Sequence, residues 1–507
     1  MRKPTVSLTL VALASGTGVL AGSFLAAGFT DRWVVLALAR TAFFLAPDAL
    51  VAFGIQRLGD AAQPLLVAGA ALAGVLLFGA LALGTLSGGR ALDREPAETA
   101  FAVGAVQAVA AFALAVAPVP ALAGGAVGAA VAGLGGPGTT EGVDVARRDL
   151  LRSAGGAAIA VGVAAALGVG RAGGPGGGDD VPDGPVEDPL VRRLLGTAAE
   201  RSLAVADVEP LVSEEFYRVD INPSDPEVDA DSWGLRVGGA VETERRYDLA
   251  DLAGRPAEHR FVTLRCVGER LNGTKMDTAL WTGVPMANVL AEVGVPEDEP
   301  CCVFLRAADG YYQEFPLEAL ESALLAYRMN GRPLPTAHGH PVRVLVPGHW
   351  GEINVKWLTE IEVIREERRG YWEERGWNGT GPVNTVAKLH GVETADGRVT
   401  VGGHAYAGTR GVAAVEVSTD GGDAWTEAEL SEPLPGSTSA DADPEGEDPE
   451  AGEAADAWRM WRHEYRADDP HEVVVRAVEA DGTVQPAEEA DAFPNGASGW
   501  VSRDVSP

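Results

Sequence analysis

The chain has 507 residues, a formal charge of −32 and 46% hydrophobic residues, too long for one compact domain. The acid is unevenly spread: residues 1–171 hold eleven Lys/Arg against nine Asp/Glu, so residues 172–507 carry −34, which argues against nucleic acid as a ligand of that part. With three cysteines, Cys266, Cys301 and Cys302, a disulfide-framework protein is also excluded. Only four lysines occur (Lys3, Lys275, Lys356, Lys388), and many carboxylates with few lysines point to a high-salt, halophilic setting where salt screens self-repulsion.

Residues 1–171 form a membrane region of about five helices. The stretches 6–29 and 64–86 each reach the roughly 20 apolar residues that a spanning helix needs. Residues 99–135 are apolar but too long for one helix, and Pro118 and Pro120 mark either a kink or a tight turn. Residues 33–55 are interrupted by Arg40 and Asp48 and either cross or lie at the interface. A twin-arginine-like motif occupies 147–153 ("RRDLLRS"), followed by a weakly apolar run over 154–170. The basic residues at 2–3 and 147–152 then face the cytoplasm, and the last span carries the C-terminal domains to the extracytoplasmic side.

A Gly/Pro/Asp linker covers 172–185. Residues 186–382 alternate helix and strand patterns with Gly/Pro turns and predict an α+β domain. Residues 383–507 read as strands alone, with turns at Asp420-Gly421-Gly422 and Asp481-Gly482, and predict a β-sandwich. Within it, 436–456 is an acidic, disordered-looking loop.

The chemistry centres on Cys266 in "RFVTLRCVGERLNG". A cysteine ending a strand beside Arg265 and Arg270 sits in a positive field that favours the thiolate, the form that binds metals or attacks electrophiles. On local chemistry alone, a buried inert thiol is an equal reading. Cys301 and Cys302, opening an apolar strand, read as buried small hydrophobes.

Five stretches in register resemble the sulfite oxidase-like molybdenum enzymes: the Cys266 segment, "EEFYRVDINPSDPEVDADSWGLRVGGAV", the run from "LRAADGYYQEF" to "HGHPVRVLVPGHWGEINVKWLTEIEVI", "GYWEERGWNG" and "GVAAVEVSTDGGDAW". The resemblance implies a molybdopterin-binding α+β domain followed by an immunoglobulin-like dimerisation domain. It implies Cys266 as the molybdenum ligand, with a pyranopterin supplying two dithiolene sulfurs. It implies Phe216, Tyr217, Arg218, Asp309, His338, Arg343, Asn354, Val355 and Lys356 as cofactor-binding, each with an ordinary turn or strand role as its alternative. The substrate side departs from sulfite oxidases. Leu271 stands where they carry a second arginine and Trp377 where they carry a tyrosine, leaving Arg270 and Arg375 to hold an anion. Tyr312, with Tyr311, His349 and Trp350, is a further candidate for the pocket wall.

These readings lead to a membrane-anchored, extracytoplasmic oxidoreductase that transfers oxygen atoms to or from a small sulfur compound such as sulfite. A reductase of sulfoxides or other oxo compounds is the alternative, and a non-catalytic sensor the third. Residues 1–258 contain no histidine, so bis-histidine haem in the helices is excluded. Electrons then pass to or from a separate cytochrome, cupredoxin or quinone, and the dimerisation domain implies a homodimer.

Overall fold

The computed structural model of the chain describes residues 4–30, 32–54, 58, 61–134, 158, 185–222, 224–296, 300–443 and 452–507. The twin-arginine-like motif, nearly all of the 154–170 run and most of the linker lie outside the described residues. Two units form: residues 1–178 with 220–226, and 179–219 with 227–507.

In the first unit α1 spans Pro4–Ala27, α2 Val34–Leu45, α3 Asp48–Phe53, α4 Ala62–Ala91, α5 Pro96–Ala115 and α6 Pro118–Leu134. Among the described residues three helices, Leu8–Ala27, Ala62–Ala91 and Pro96–Ala115, are long and apolar enough to cross a membrane. The apolar run over 99–135 divides at a turn rather than a kink: Val116 adopts φ +50°, and Pro118 opens the next helix. The 33–55 segment divides into two short helices at Ala46-Pro47, as a residue before proline favours. Small residues let the backbones approach, since a Cβ on Gly16 would meet the Val75 carbonyl of α4 at 2.6 Å. The buried Gln107 amide donates to Phe78 O (3.1 Å) and to Ser15 Oγ (3.1 Å), and the Ser15 hydroxyl donates to Gly128 O (2.8 Å), so this network is internally satisfied.

The second unit holds two sheets of the α+β region. One runs Arg245–Tyr247, Leu235–Gly239, Leu358–Ile364, Cys302–Ala307, Tyr312–Pro316, with a single parallel pair between its second and third strands. The other runs Thr438–Ser439, Glu258–Arg265, Met276–Pro285, Leu324–Met329, Arg332–Pro333, with Arg343–Leu345 also on Leu324–Met329. A core of Leu235, Val237, Val303, Leu305, Leu325, Val344 and Ile361 joins them.

The C-terminal region has two further sheets, built on Arg398–Tyr406 with Arg459–Arg466 and on Val412–Ser418 with His471–Glu479. Val399 and Val401 from one, and Val415, Val417, Val473 and Val475 from the other, share a buried core, which makes this region a sandwich.

Two expectations need correction. The described ends of the acidic 436–456 loop are ordered: Thr438–Ser439 adds a strand to the edge of Glu258–Arg265, and Asp456 is buried. Backbone pairing with the edge of Glu258–Arg265 overrides the polar composition there. Cys301 and Cys302 are joined by a disulfide, and only Cys302 is buried.

Candidate active site

Cys266 follows the last residue of Glu258–Arg265. Its N–H donates to Lys275 O (3.0 Å), which closes the turn carrying the thiol. The segment after Met329 passes behind it: Trp350 bridges to Arg265, and a Cβ on Gly351 would meet the Tyr217 hydroxyl at 2.5 Å. Glycine at 351 therefore lets Tyr217 lie against the Cys266 turn.

The neighbouring arginines do not act on the sulfur as their sequence position suggests. Arg265 is buried with its Nε donating to Glu269 Oε1 (3.0 Å), its Nη1 to Asn384 O (2.7 Å) and its Nη2 to Ala497 O (3.2 Å). Lys388 completes the triad by donating to Glu269 Oε1 (2.7 Å) and Gly273 O (2.9 Å). Burial works against the Glu269 charge, but Lys388 and Arg265 outweigh it and hold the carboxyl below its ordinary range. Arg270 is exposed. Burial, with Glu269 beside it, instead pushes the Cys266 thiol up to about 11, against a smaller pull from the Gly268 N–H and Lys275. A strand end points its side chains to alternate faces, so Arg265 and Cys266 face different partners.

The cofactor-binding candidates gather on one side. Phe216 stacks on Tyr217 (5.6 Å between centroids) and stands edge-on to Trp281 (5.5 Å) and His338 (5.6 Å). Asp277 pins this loop, accepting from the Tyr217 N–H (2.7 Å) and the Ser213 hydroxyl (3.0 Å). Arg343 reaches back from its strand, donating to His338 O (3.2 Å) and Asn354 O (3.0 Å). Lys356 donates to Ala337 O (2.9 Å). Burial, then Lys356, Arg343 and Arg218, drive the His338 imidazole down to about 2, so it is neutral. Gly339, at φ +107°, permits this packing; a Cβ there would press Arg343 and Lys356 at 3.1 Å. Trp357, at φ +47°, is a non-glycine residue in the left-handed region, and its indole donates to Thr336 O (2.8 Å). That conformation fixes the direction of the preceding Lys356.

Three members of the sequence set act through the backbone or core. Asn354 spends its side chain internally, accepting from the Val346 N–H (2.7 Å) and donating to Trp350 O (3.0 Å). Val355 is buried core. Asp309 accepts from the Tyr311 N–H (2.9 Å) and shapes its turn.

The other wall is aromatic and acidic. Tyr311 and Tyr312 contact Tyr371 at 5.7 and 5.8 Å, and the Tyr312 hydroxyl donates to Glu374 (2.6 Å). Arg375 lies over the Tyr371 ring at 3.7 Å and donates to Tyr371 O (2.6 Å). Trp377 is buried edge-on to Phe493 (5.1 Å). Sequence reasoning overlooked Glu352 and Glu373, which meet behind this wall; the only available signal was their place inside the quoted "HWGEINVKW" and "GYWEERGWNG" stretches.

Among the described residues no group of three or more His, Cys, Asp or Glu is arranged to hold a metal ion. A cysteine sulfur linked through Tyr217 to the Arg343 side of the cation group fits a metal whose other ligands belong to an anionic cofactor. Arg218, Arg343 and Lys356 converge on a buried, neutral imidazole, and an anion between them removes the cost of packing like charges.

Fold and cradle together define a molybdopterin oxidoreductase. Residues 222–372 match the family model of the oxidoreductase molybdopterin binding domain, and 382–493 that of the Mo-co oxidoreductase dimerisation domain. Mitochondrial sulfite oxidase of Rattus norvegicus is 32% identical over 314 residues, covering 52% of this chain and 54% of its own. Sulfite oxidase of Gallus gallus is 31% identical over 312 residues, covering 52% and 65%. The crystal structure of the sulfane dehydrogenase SoxCD from Paracoccus pantotrophus aligns with 19% identity and a TM-score of 0.46, over 65% of this chain and 87% of that one. Through residues 222–493 the chain belongs to the sulfite oxidase-like molybdenum oxidoreductases. It spans about half the length of the rat relative.

Proposed function

We propose that the chain is a membrane-anchored, extracytoplasmic enzyme moving one oxygen atom and two electrons between water and a small sulfur compound. The observation that carries this is the convergence of Arg218, Arg343 and Lys356 on His338, with Tyr217 close to both Arg343 and Cys266. In this reading Cys266 is the thiolate ligand, and the three cations hold the anionic tail of the pterin. Bound there, molybdenum supplies the site of two-electron oxygen exchange. Burial keeps the thiol protonated until a metal cation displaces the proton. Asp277 holds Phe216 and Tyr217 in place, and the Tyr311–Tyr371 wall keeps water from the opposite side.

Sulfite is the substrate named for the rat and chicken relatives above, and its oxidation is the first candidate reaction. The reduction of a neutral oxo compound, such as a sulfoxide, is favoured by one feature: of the two arginines expected to hold an anion, Arg270 is exposed and Arg375 is laid on Tyr371. Exposed apolar residues on α4 to α6 (Leu72, Phe101, Val109, Leu122) support lipid contact. The 147–153 motif supports export of an already folded, cofactor-loaded domain. The dimerisation-domain match supports an immunoglobulin-like sandwich that pairs two copies, with electrons handed to a separate carrier. The acidic, lysine-poor composition supports a high-salt habitat.

The test is the visible spectrum of the full chain, purified anaerobically in high salt and detergent, before and after sulfite. A thiolate-to-molybdenum band, absent in Cys266→Ala, supports the site. Bleaching by sulfite supports the oxidase direction, and a band untouched by sulfite supports the reductase. Protein with no band and no molybdenum by elemental analysis overturns the enzyme reading.

A further inference from the structure

Strand Glu258–Arg265 carries Cys266 at its end, and the acidic loop inserted in the sandwich grips this strand at both of the loop's described ends. Thr438 and Ser439 pair with His259 and Glu258 at its start. Asp456 lies near its far end: the Asp456 carbonyl accepts from the Thr263 N–H (3.0 Å), and the Trp458 N–H donates to the Thr263 hydroxyl (2.8 Å). Thr263 is three positions before Cys266.

The Asp456 side chain reaches a second segment. Its Oδ1 accepts from the Gly348 N–H (2.6 Å) and from the Tyr406 hydroxyl (2.7 Å), which also lies 3.0 Å from Thr263 O. Asp456 and Tyr406 are both buried. Gly348 is two positions before Trp350, whose bridge to Arg265 sets this segment beside the Cys266 strand end. Gly348, at φ +74°, is itself closed in by the sandwich, since a Cβ there would meet the Thr409 nitrogen at 2.9 Å. One carboxyl oxygen and one phenol thus tie the strand that carries the thiol to the segment that passes behind it. Loss of either partner leaves a buried polar group unsatisfied, so this tie resists displacement.

Both residues fall within 382–493, the region matched to the dimerisation domain. Pairing two copies calls for no buried side chain on the strand of the thiol. We propose that Tyr406 and Asp456 are positioning residues of the metal site, acting through the backbone at Thr263 and Gly348, so that the sandwich builds the catalytic centre besides any pairing of copies. This rests on the reading of Cys266 as the molybdenum ligand. A ligand held a fraction of an ångström out of place changes its overlap with the metal and the rate of the reaction there.

The experiment compares the full-length wild type with Asp456→Ala, Tyr406→Phe and Asp456→Asn, and with Val473→Ala as a control that opens the valine core between the sandwich sheets. In holoprotein, Asp456→Ala and Tyr406→Phe should shift the thiolate-to-molybdenum band. They should also lower kcat with sulfite or dimethyl sulfoxide about tenfold at nearly constant KM, the lower end of the scale for groups that support a metal site. Asp456→Asn keeps an oxygen acceptor for both donors and should stay near wild type. Val473→Ala should lower the denaturation midpoint and leave band and kcat in place. In metal-free protein with the Cys301–Cys302 disulfide intact, Cys266 is the free thiol. Its alkylation by N-ethylmaleimide should be about tenfold faster in Asp456→Ala and Tyr406→Phe, the scale of one hydrogen bond lost. If Asp456→Ala does not accumulate, Tyr406→Phe removes a single hydroxyl and carries the test alone. Unmoved band, kcat and labelling rate overturn the proposal, as does a Val473→Ala protein that moves them as far or an Asp456→Asn protein as impaired as the alanine variant. A wild type without molybdenum sinks the reading beneath, while the labelling rate still judges the hold on Cys266.

Discussion

Two regions near Cys266 gather charge of one sign, and they differ in what balances it. On the cradle side, Arg218, Arg343 and Lys356 surround a neutral His338. On the opposite wall, Glu352 faces Glu373. A third cluster, Arg265, Glu269 and Lys388, mixes signs and is satisfied internally. Buried charge is tolerated only when it is paired, neutralised by a proton, or completed by a ligand. The mixed triad therefore serves structure, whereas the acid pair and the cation collar each set like charges side by side. Of the three, the last is the group that a bound cofactor alters most.

The largest break in this comparison comes from the thiol between the regions. Cys266→Ser should abolish both the visible band and turnover while leaving the denaturation midpoint of the metal-free protein nearly unchanged, because the collar and the triad do not depend on it. Next in size is Glu269→Gln. It leaves Arg265 and Lys388 buried without their carboxylate and should cost about 3–5 kcal/mol in denaturant unfolding. The same loss with and without cofactor would mark the triad as structural; a loss seen only in the loaded protein would move it into the cofactor site. Arg343→Ala or Lys356→Ala should act the other way. Each should lower bound molybdopterin by about 10- to 100-fold, the scale for groups supporting a metal site, measured as released pterin per chain.

How far the sequence reveals these regions depends on the same physics. The cradle was legible because its residues sit in short motifs at fixed spacing: "FYR", "HGHPVR" and "NVKW" supply Phe216, His338, Arg343 and Lys356, and all come together. The long apolar helices were legible from the length of their apolar runs and the sandwich strands from alternation. What sequence could not show is side-chain direction at a strand end. Arg265 is adjacent to Cys266 yet points to Glu269, Asn384 and Ala497, the last more than two hundred positions away. Glu352 and Glu373 were hidden for a related reason, since twenty-one residues separate two acids that the glycines at 370 and 379 let meet. The ordered ends of the acidic loop are a third case, because a strand edge accepts any backbone and composition does not reveal it.

The smallest effect concerns Asp277 and Asp456, lone buried acids that lie outside all three clusters. Asp277 anchors the Phe216–Tyr217 loop, and burial pushes it up to about 7. Asp456 accepts from the Tyr406 hydroxyl (2.7 Å) and the Gly348 N–H (2.6 Å), and burial pushes it up to about 8. A folded-state value raised above that of the unfolded chain means that the native form holds a proton the unfolded form has released. Stability should therefore fall as pH rises from about 4 through about 7 to 8, and level off above both, by at most about 1.4 kcal/mol per pH unit for each group. Many surface carboxylates titrate in the acid part of this window, so the quantity to measure is the difference between wild type and Asp277→Asn. Asparagine stays neutral, so the variant should gain on the wild type steadily between pH 4 and 7 and hold a constant offset beyond. A difference that does not change with pH would mean that Asp277 is ionised in the fold, and that its two donors, the Tyr217 N–H and the Ser213 hydroxyl, outweigh burial at the base of the cofactor loop.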